Sequence, residues 1–141
     1  MPASAARAVI RHREDFAASA LHEIAHWCIA GRARRQLVDY GYWYRPPPCS
    51  EAEQQVFYAV EARAQALERI FAEGCGCEFR ISPDNLEVAN VDVFGAVIDT
   101  ETDRLKVSIL ARARRFLDAA FALRRAQASH AVVSNGEIGR G

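Results

Sequence analysis

The chain reads as an α+β fold, mostly helical, built as a single domain with a few short strands and one metal-binding helix. Three observations support this. Apolar residues recur at i, i+4 spacing in three long stretches, which is helical periodicity. Short Val-, Tyr- and Ile-containing runs sit between them and favour strands. The 141 residues suffice for one core and are too few for two.

Before the first helix, Ala8-Val9-Ile10 reads as a short strand. The helix itself spans about Asp15 to Ala30, with Phe16, Ala20, Ile24 and Cys28 on one face and Leu21 and Trp27 widening it. Asp15 suits the N-cap, and Gly31 suits the position just past the end, where a left-handed backbone favours glycine. Leu37 to Tyr44 is rich in Val and Tyr and reads as a strand bent at Gly41. Pro46-Pro47-Pro48 then imposes an extended loop.

Ser50 and Glu53 form a capping-box pattern that opens a second helix, with Val56, Val60, Ala64, Leu67 and Phe71 as its apolar stripe and Gly74 as its expected stop. Cys77 to Ile81 alternates like a short strand, closed by the turn residues Ser82-Pro83-Asp84. Residues 86–99 fit strand or helix. A third helix is expected from about Glu101 to Ala126. The expected organisation is a metal-binding domain over residues 1–128 and a flexible tail over 129–141, where Ser129, Asn135, Gly136, Gly139 and Gly141 favour a frayed end.

Composition narrows the function classes. Eighteen basic residues balance eighteen acidic ones, so a globally basic nucleic-acid binder is not expected. No stretch approaches the ~20 apolar residues of a membrane span, and no apolar signal region opens the chain. With no such signal, a cytoplasmic location is expected, and Cys28, Cys49, Cys75 and Cys77 should stay reduced there. The Cys75-x-Cys77 pair reads as two thiols in a turn, since a lone C-x-C is weak evidence for a soft-metal site.

The chemistry lies in Leu21-His22-Glu23-Ile24-Ala25-His26-Trp27, an H-E-x-x-H on the first helix. Histidines four apart leave the same face, close enough for two imidazole nitrogens to share one ion. Glu23 lies about 100° further round, where a carboxylate in zinc hydrolases deprotonates the metal-bound water. Two histidines at that spacing can also sit at a core edge bonded to carbonyls. The clean amphipathic setting, and the use of two of only four histidines, favour the metal. A third ligand is required. Glu61, Asp39, Cys28, Cys49, Cys75, Cys77, His12 and His130 all qualify by residue type. The longer zincin pattern is excluded, because no third histidine follows at its spacing. Glu61 stands at the border of the Val60 stripe, where a carboxylate can turn inward, or can remain solvated beside Gln65 and Glu68.

The string from Ser19 to Gly31 resembles the bacterial elongation factor P hydroxylases, the EpmC or YfcM proteins. So do Arg34-Arg35, the run Leu37-Val38-Asp39-Tyr40-Gly41-Tyr42-Trp43-Tyr44, Val60-Glu61, Gln65-Ala66-Leu67 and Asp84-Asn85-Leu86. The resemblance covers about Ile10 to Leu86. It implies an oxygenase that hydroxylates a lysine of elongation factor P already extended by a β-lysyl group, using dioxygen. It implies His22, His26 and Glu61 as metal ligands, Fe(II) as the metal with Zn as the alternative, and Glu23 as a base or orienting group beside the ligands.

Under the same resemblance Arg34, Arg35, Tyr42 and Trp43 become candidates for contacting the protein substrate. This chain departs from the family in three ways. It begins almost at the Val9 strand, which makes it N-terminally short. Its loop carries Pro46-Pro47-Pro48-Cys49 in place of a polar turn. It also reads Val60-Glu61-Ala62-Arg63-Ala64-Gln65 where the family has a proline, which should regularise that helix. Two other functions compete: a zinc hydrolase with Glu23 as general base, and a non-catalytic divergent metal-binding homologue.

Overall fold

A computed structural model of the chain describes residues 9–10, 17–33, 35, 51–82 and 91–137. Four helices make up the described structure: α1 (Ala17–Ile29), α2 (Glu51–Cys75), α3 (Val91–Val107) and α4 (Ala111–Glu137). The expected α+β class is corrected: among the described residues there is no strand, and the fold is mostly helical.

α2 is the central element, and α1, α3 and α4 all pack against it. Between Glu61 and Ala72 it is buried on almost every side, as a helix enclosed by neighbours must be. Ala62, Ala64, Ala66 and Ala72 let adjacent helices approach, while Leu67, Ile70 and Phe71 fill the space between them. α3 contributes Phe94, Ile98 and Leu105 along one face, and α4 contributes Ala113 and Leu117. Aromatic edges lock the layers together: Tyr58 meets Phe94 at 5.0 Å between centroids, and Phe71 meets Phe116 at 4.6 Å. α2 runs unbroken through Ala62-Arg63-Ala64.

α2 ends one residue beyond the expected stop. Gly74 is a helical residue buried at the α2–α4 contact, where an added Cβ would lie 2.7 Å from Leu117 Cδ2. The terminating glycine is Gly76, with φ of 71°. The Cys77 amide donates to the Ala72 carbonyl at 2.8 Å and the Gly76 amide to the Glu73 carbonyl at 3.3 Å, the paired bonds of a Schellman cap.

Residues 77–82 keep the alternation that suggested a strand: Cys77, Phe79 and Ile81 lie half-buried against the core, while Glu78, Arg80 and Ser82 are exposed. No partner strand exists among the described residues. Instead the Gln65 side chain holds the Ser82 backbone, accepting from its N–H at 3.0 Å and donating to its carbonyl at 2.7 Å. The strand expected at Val9-Ile10 is also absent, and both residues are exposed without regular structure.

The single helix expected over 101–126 is two helices. The ambiguous stretch resolves into α3 from Val91, and the chain breaks at residues 108–110 before α4 begins. No glycine or proline marks the break. Ile109 and Leu110 pack against the core there, and the Leu110 carbonyl accepts the first bond of α4, from the Arg114 amide. α4 continues through Ser129 to Glu137, with side chains from Phe121 to Val132 exposed. The strand expected over Leu37–Tyr44, the proline loop and the caps Asp15 and Ser50 lie outside the described residues. Among those described, no helix is long and apolar enough to cross a membrane.

Candidate metal centre

The H-E-x-x-H motif lies within α1, and its two histidines project toward α2 because Leu21, Ala25 and Cys28 bury the same side of the helix. His26 is fully enclosed, and His22 is partly so. From α2, Glu61 turns inward, as its position at the stripe border allows. Its Oε1 stands 3.0 Å from His26 Nε2 and its Oε2 3.8 Å from His22 Nε2. The two Nε2 atoms are 3.1 Å apart. Donor atoms of all three residues lie within 4.8 Å of one another, the one such candidate cluster among the described residues.

These separations fit an ion. Two ligands about 2.1 Å from one metal are ~3.0 to 3.8 Å apart when the angle between them is about 90 to 130°. Without an ion, three electronegative atoms this close need shared protons to hold them together.

Two further α2 residues complete the arrangement. Glu68, buried at 6% exposure, places Oε2 2.8 Å from His22 Nδ1. Gln65, buried between the two glutamates in sequence, bonds to Glu61 as well as to Ser82. Residues 61, 65 and 68 are spaced i, i+4, i+7, so they form one stripe along α2 facing α1. The sequence left Glu61 open between an inward turn and a solvated position beside Gln65 and Glu68, and gave neither neighbour a role. A polar stripe at helical spacing normally marks the water side, and only the packing of α1 over α2 shows that this one is enclosed.

The electrostatics follow from that enclosure. Burial alone would lower the His22 pKa, but its hydrogen bond to Glu68 and the charges of Glu61, Glu68 and Glu23 outweigh it and raise it above the usual histidine value. Burial pushes the Glu61 carboxyl up, yet the hydrogen bond and charge of His26, the charge of His22 and the Gln65 bond leave it below the ordinary carboxylate range. Glu61 is therefore an anion at neutral pH, as a ligand must be. Glu23 is half-buried; it is outside the ligand cluster and acts on His22 through its charge.

The other ligand candidates fall elsewhere. Cys28 is buried in the core, and its thiol is pushed up to about 11 by burial, against the opposing pull of Arg35. It lies outside the ligand cluster. Burial and the neighbouring Cys77 likewise raise Cys75, against Arg124. His130 is exposed on α4. His12, Asp39 and Cys49 lie outside the described residues.

Of the proposed substrate contacts, Arg34, Tyr42 and Trp43 also lie outside them. Arg35 is tied into the fold. Its Nη1 donates to the Ala30 carbonyl at 2.8 Å, and its guanidinium carbon is 5.9 Å from the centre of the Trp27 ring. Arg112 from α4 approaches the same ring at 4.8 Å, and its Nη2 donates to the carbonyls of Cys28 and Ala30 at 3.0 and 2.8 Å. Two arginines thus satisfy the carbonyls left open at the end of α1, where cations also complement the helix dipole.

Comparison with known proteins points the same way as the site. The family model described as elongation factor P hydroxylase matches residues 1–133. The elongation factor P lysine hydroxylase of Haemophilus influenzae is 54% identical over 71 residues, a stretch that takes in 50% of this chain and 40% of that relative. The chain therefore aligns with less than half the length of the curated relative it matches. No solved structure gives a significant match. With nearly its whole length matched by one family model, the chain belongs to the elongation factor P hydroxylase family.

Proposed function

We propose that this protein is a dioxygen-dependent, non-haem iron hydroxylase acting on the modified lysine of elongation factor P, with His22, His26 and Glu61 as the metal ligands. The observation that carries the reading is the convergence of two histidines and one carboxylate from two packed helices, in a member of a family described by that activity. Two imidazoles and a carboxylate form a donor set that suits iron(II) and leaves coordination positions open. Bound there, iron would supply the redox chemistry through which dioxygen becomes an oxidant.

The chain's own residues do the rest. Glu61 holds a negative charge at neutral pH, kept there by the histidines and Gln65. Glu68 accepts the Nδ1 proton of His22, which leaves Nε2 facing Glu61 and His26. Gln65 ties the ligand-bearing face of α2 to Ser82, so Glu61 is braced from one side by backbone. Glu23 stands beside His22 as a carboxylate that can orient or exchange protons at the edge of the site, outside the ligand set. The exposed partner is elongation factor P; nothing in the charge balance calls for nucleic acid, and the location that suits this substrate is the cytoplasm.

Incubation of the iron-loaded protein with β-lysylated elongation factor P, air and an external reductant tests the reading by mass spectrometry of the modified peptide. One added oxygen atom on the extended lysine, absent under argon and absent with His22→Ala, is expected. An unchanged peptide in air, from a protein that retains its iron, would overturn it.

A further inference from the structure

We propose that Glu68 is a positioning residue of the metal centre, fixing the tautomer and ring orientation of His22 so that Nε2 is presented to the ion. This rests on the reading of His22, His26 and Glu61 as a metal site and not on the identity of the protein substrate.

The geometry assigns the proton. Glu68 Oε2 lies 2.8 Å from His22 Nδ1, a distance at which one partner must donate. An ionised carboxylate only accepts, so Nδ1 carries the hydrogen. A neutral imidazole has one N–H, and its lone pair is then on Nε2. That is the atom 3.1 Å from His26 Nε2 and 3.8 Å from Glu61 Oε2. The opposite tautomer would set two lone pairs against each other at Nδ1 and aim an N–H into the ligand cluster.

Enclosure strengthens the constraint. Glu68 is buried, so water competes poorly for its carboxylate. Its seven-residue separation from Glu61 spans about 10.5 Å of helix axis, and it stays outside the ligand cluster while holding the far side of the ring. A single α2 stripe thus supplies a ligand, Glu61, and the group that aims a ligand from α1. Such outer partners raise the basicity of a ligating histidine and typically contribute about 10–100-fold to metal affinity.

Two variants separate aiming from simple support of the fold. Glu68→Ala removes the acceptor. Glu68→Gln keeps an amide oxygen that can accept from Nδ1–H but removes the charge. Zn(II) affinity is measured by competition with a chromophoric chelator, and the His22 tautomer by nitrogen-15 NMR of the imidazole in metal-free and zinc-loaded protein. Wild type should show Nδ1–H alone when zinc-loaded, and in the metal-free form once pH exceeds the raised His22 value. Glu68→Ala should show mixed tautomers in the metal-free form and about 10–100-fold weaker zinc binding, with Glu68→Gln, whose amide can accept from Nδ1–H or donate to a bare Nδ1, losing less affinity. A folded Glu68→Ala with wild-type affinity and tautomer overturns the proposal. If Glu68→Ala does not fold, Glu68→Gln decides: loss of Nδ1–H or of zinc affinity supports the assignment, and the wild-type tautomer with wild-type affinity overturns it. Wild type that binds no zinc or iron would instead remove the metal site itself.

Discussion

Arg112→Met offers a sharp test of how α1 is held in place, because the worth of that arginine can be worked from its surroundings. Its Nη2 donates to the carbonyls of Cys28 and Ala30, more than eighty residues away in sequence. Charge-assisted bonds of this kind contribute about 1.5–3 kcal/mol each, so the pair is worth ~3–6 kcal/mol gross. Against this, Nη1 is buried without a hydrogen-bond partner among the described residues, and such an orphan costs about 1–3 kcal/mol. Stacking over Trp27 at 4.8 Å adds ~0.5–2 kcal/mol. Methionine preserves much of the apolar stem and removes the bonds, the stacking and the orphan, leaving a net loss of about 2.5–5 kcal/mol. For a chain of this size that corresponds to a fall in Tm of roughly 8–17 °C. Thermal unfolding of the metal-free protein at fixed pH reads it directly, with exposed Arg114→Met as a control that should change stability by less than about 0.5 kcal/mol. A fall for Arg112→Met no larger than the control's would refute the reasoning.

Metal binding should strengthen as pH rises from about 5 to 8, because an ion must displace the proton from His22, by up to ~1.4 kcal/mol per pH unit for each proton displaced. The raised His22 pKa works the other way on the metal-free fold: its stability contribution is full below the unfolded histidine value and is lost as pH rises through the folded one. The lowered Glu61 pKa contributes above the unfolded carboxylate value and is lost only as pH falls through the folded one. The Tm increment on adding Zn(II) should therefore grow with pH while the metal-free Tm declines on the basic side; parallel curves would contradict the assignment. Gly76→Ala should cost about 1–2 kcal/mol, since a Cβ at φ 71° is strained and would meet the Arg124 guanidinium at 3.2 Å; urea denaturation with an unchanged midpoint would count against the Schellman cap. Glu23→Gln should keep the metal and slow hydroxylation only modestly, whereas a water-activating base would be indispensable in a hydrolase. Oxygen-independent peptidase activity of the zinc-loaded wild type, abolished by this substitution, would favour the hydrolase.

What the sequence disclosed depended on whether a local pattern had one structural meaning. α1 was legible because its apolar face and its histidine pair share one helical period. The inward turn of Glu61 came from resemblance, since a carboxylate at a stripe border is equally at home in water. Glu68 was missed because its partner, His22, is forty-six residues away and no local rule links them. Residues 77–81 alternate as a strand does, yet that pattern only requires a surface to lie on. Here the surface is a layer of helices, and Gln65 supplies the backbone bonds at Ser82 that a neighbouring strand would otherwise make. The α3–α4 break carries no glycine or proline and follows from how Ile109 and Leu110 reach the core. Gly74 misled for a related reason: a glycine near a helix end serves close packing as readily as termination, and here it admits Leu117.

The central claim is that His22, His26 and Glu61 hold one ion together. Anaerobic equilibrium titration with Fe(II), compared between wild type and Glu61→Ala, tests it most directly. The account expects one tightly bound iron per wild-type chain and none in Glu61→Ala, whose two remaining histidines cannot retain a labile divalent ion. Equal iron binding by the two proteins, or none by the wild type, would contradict it.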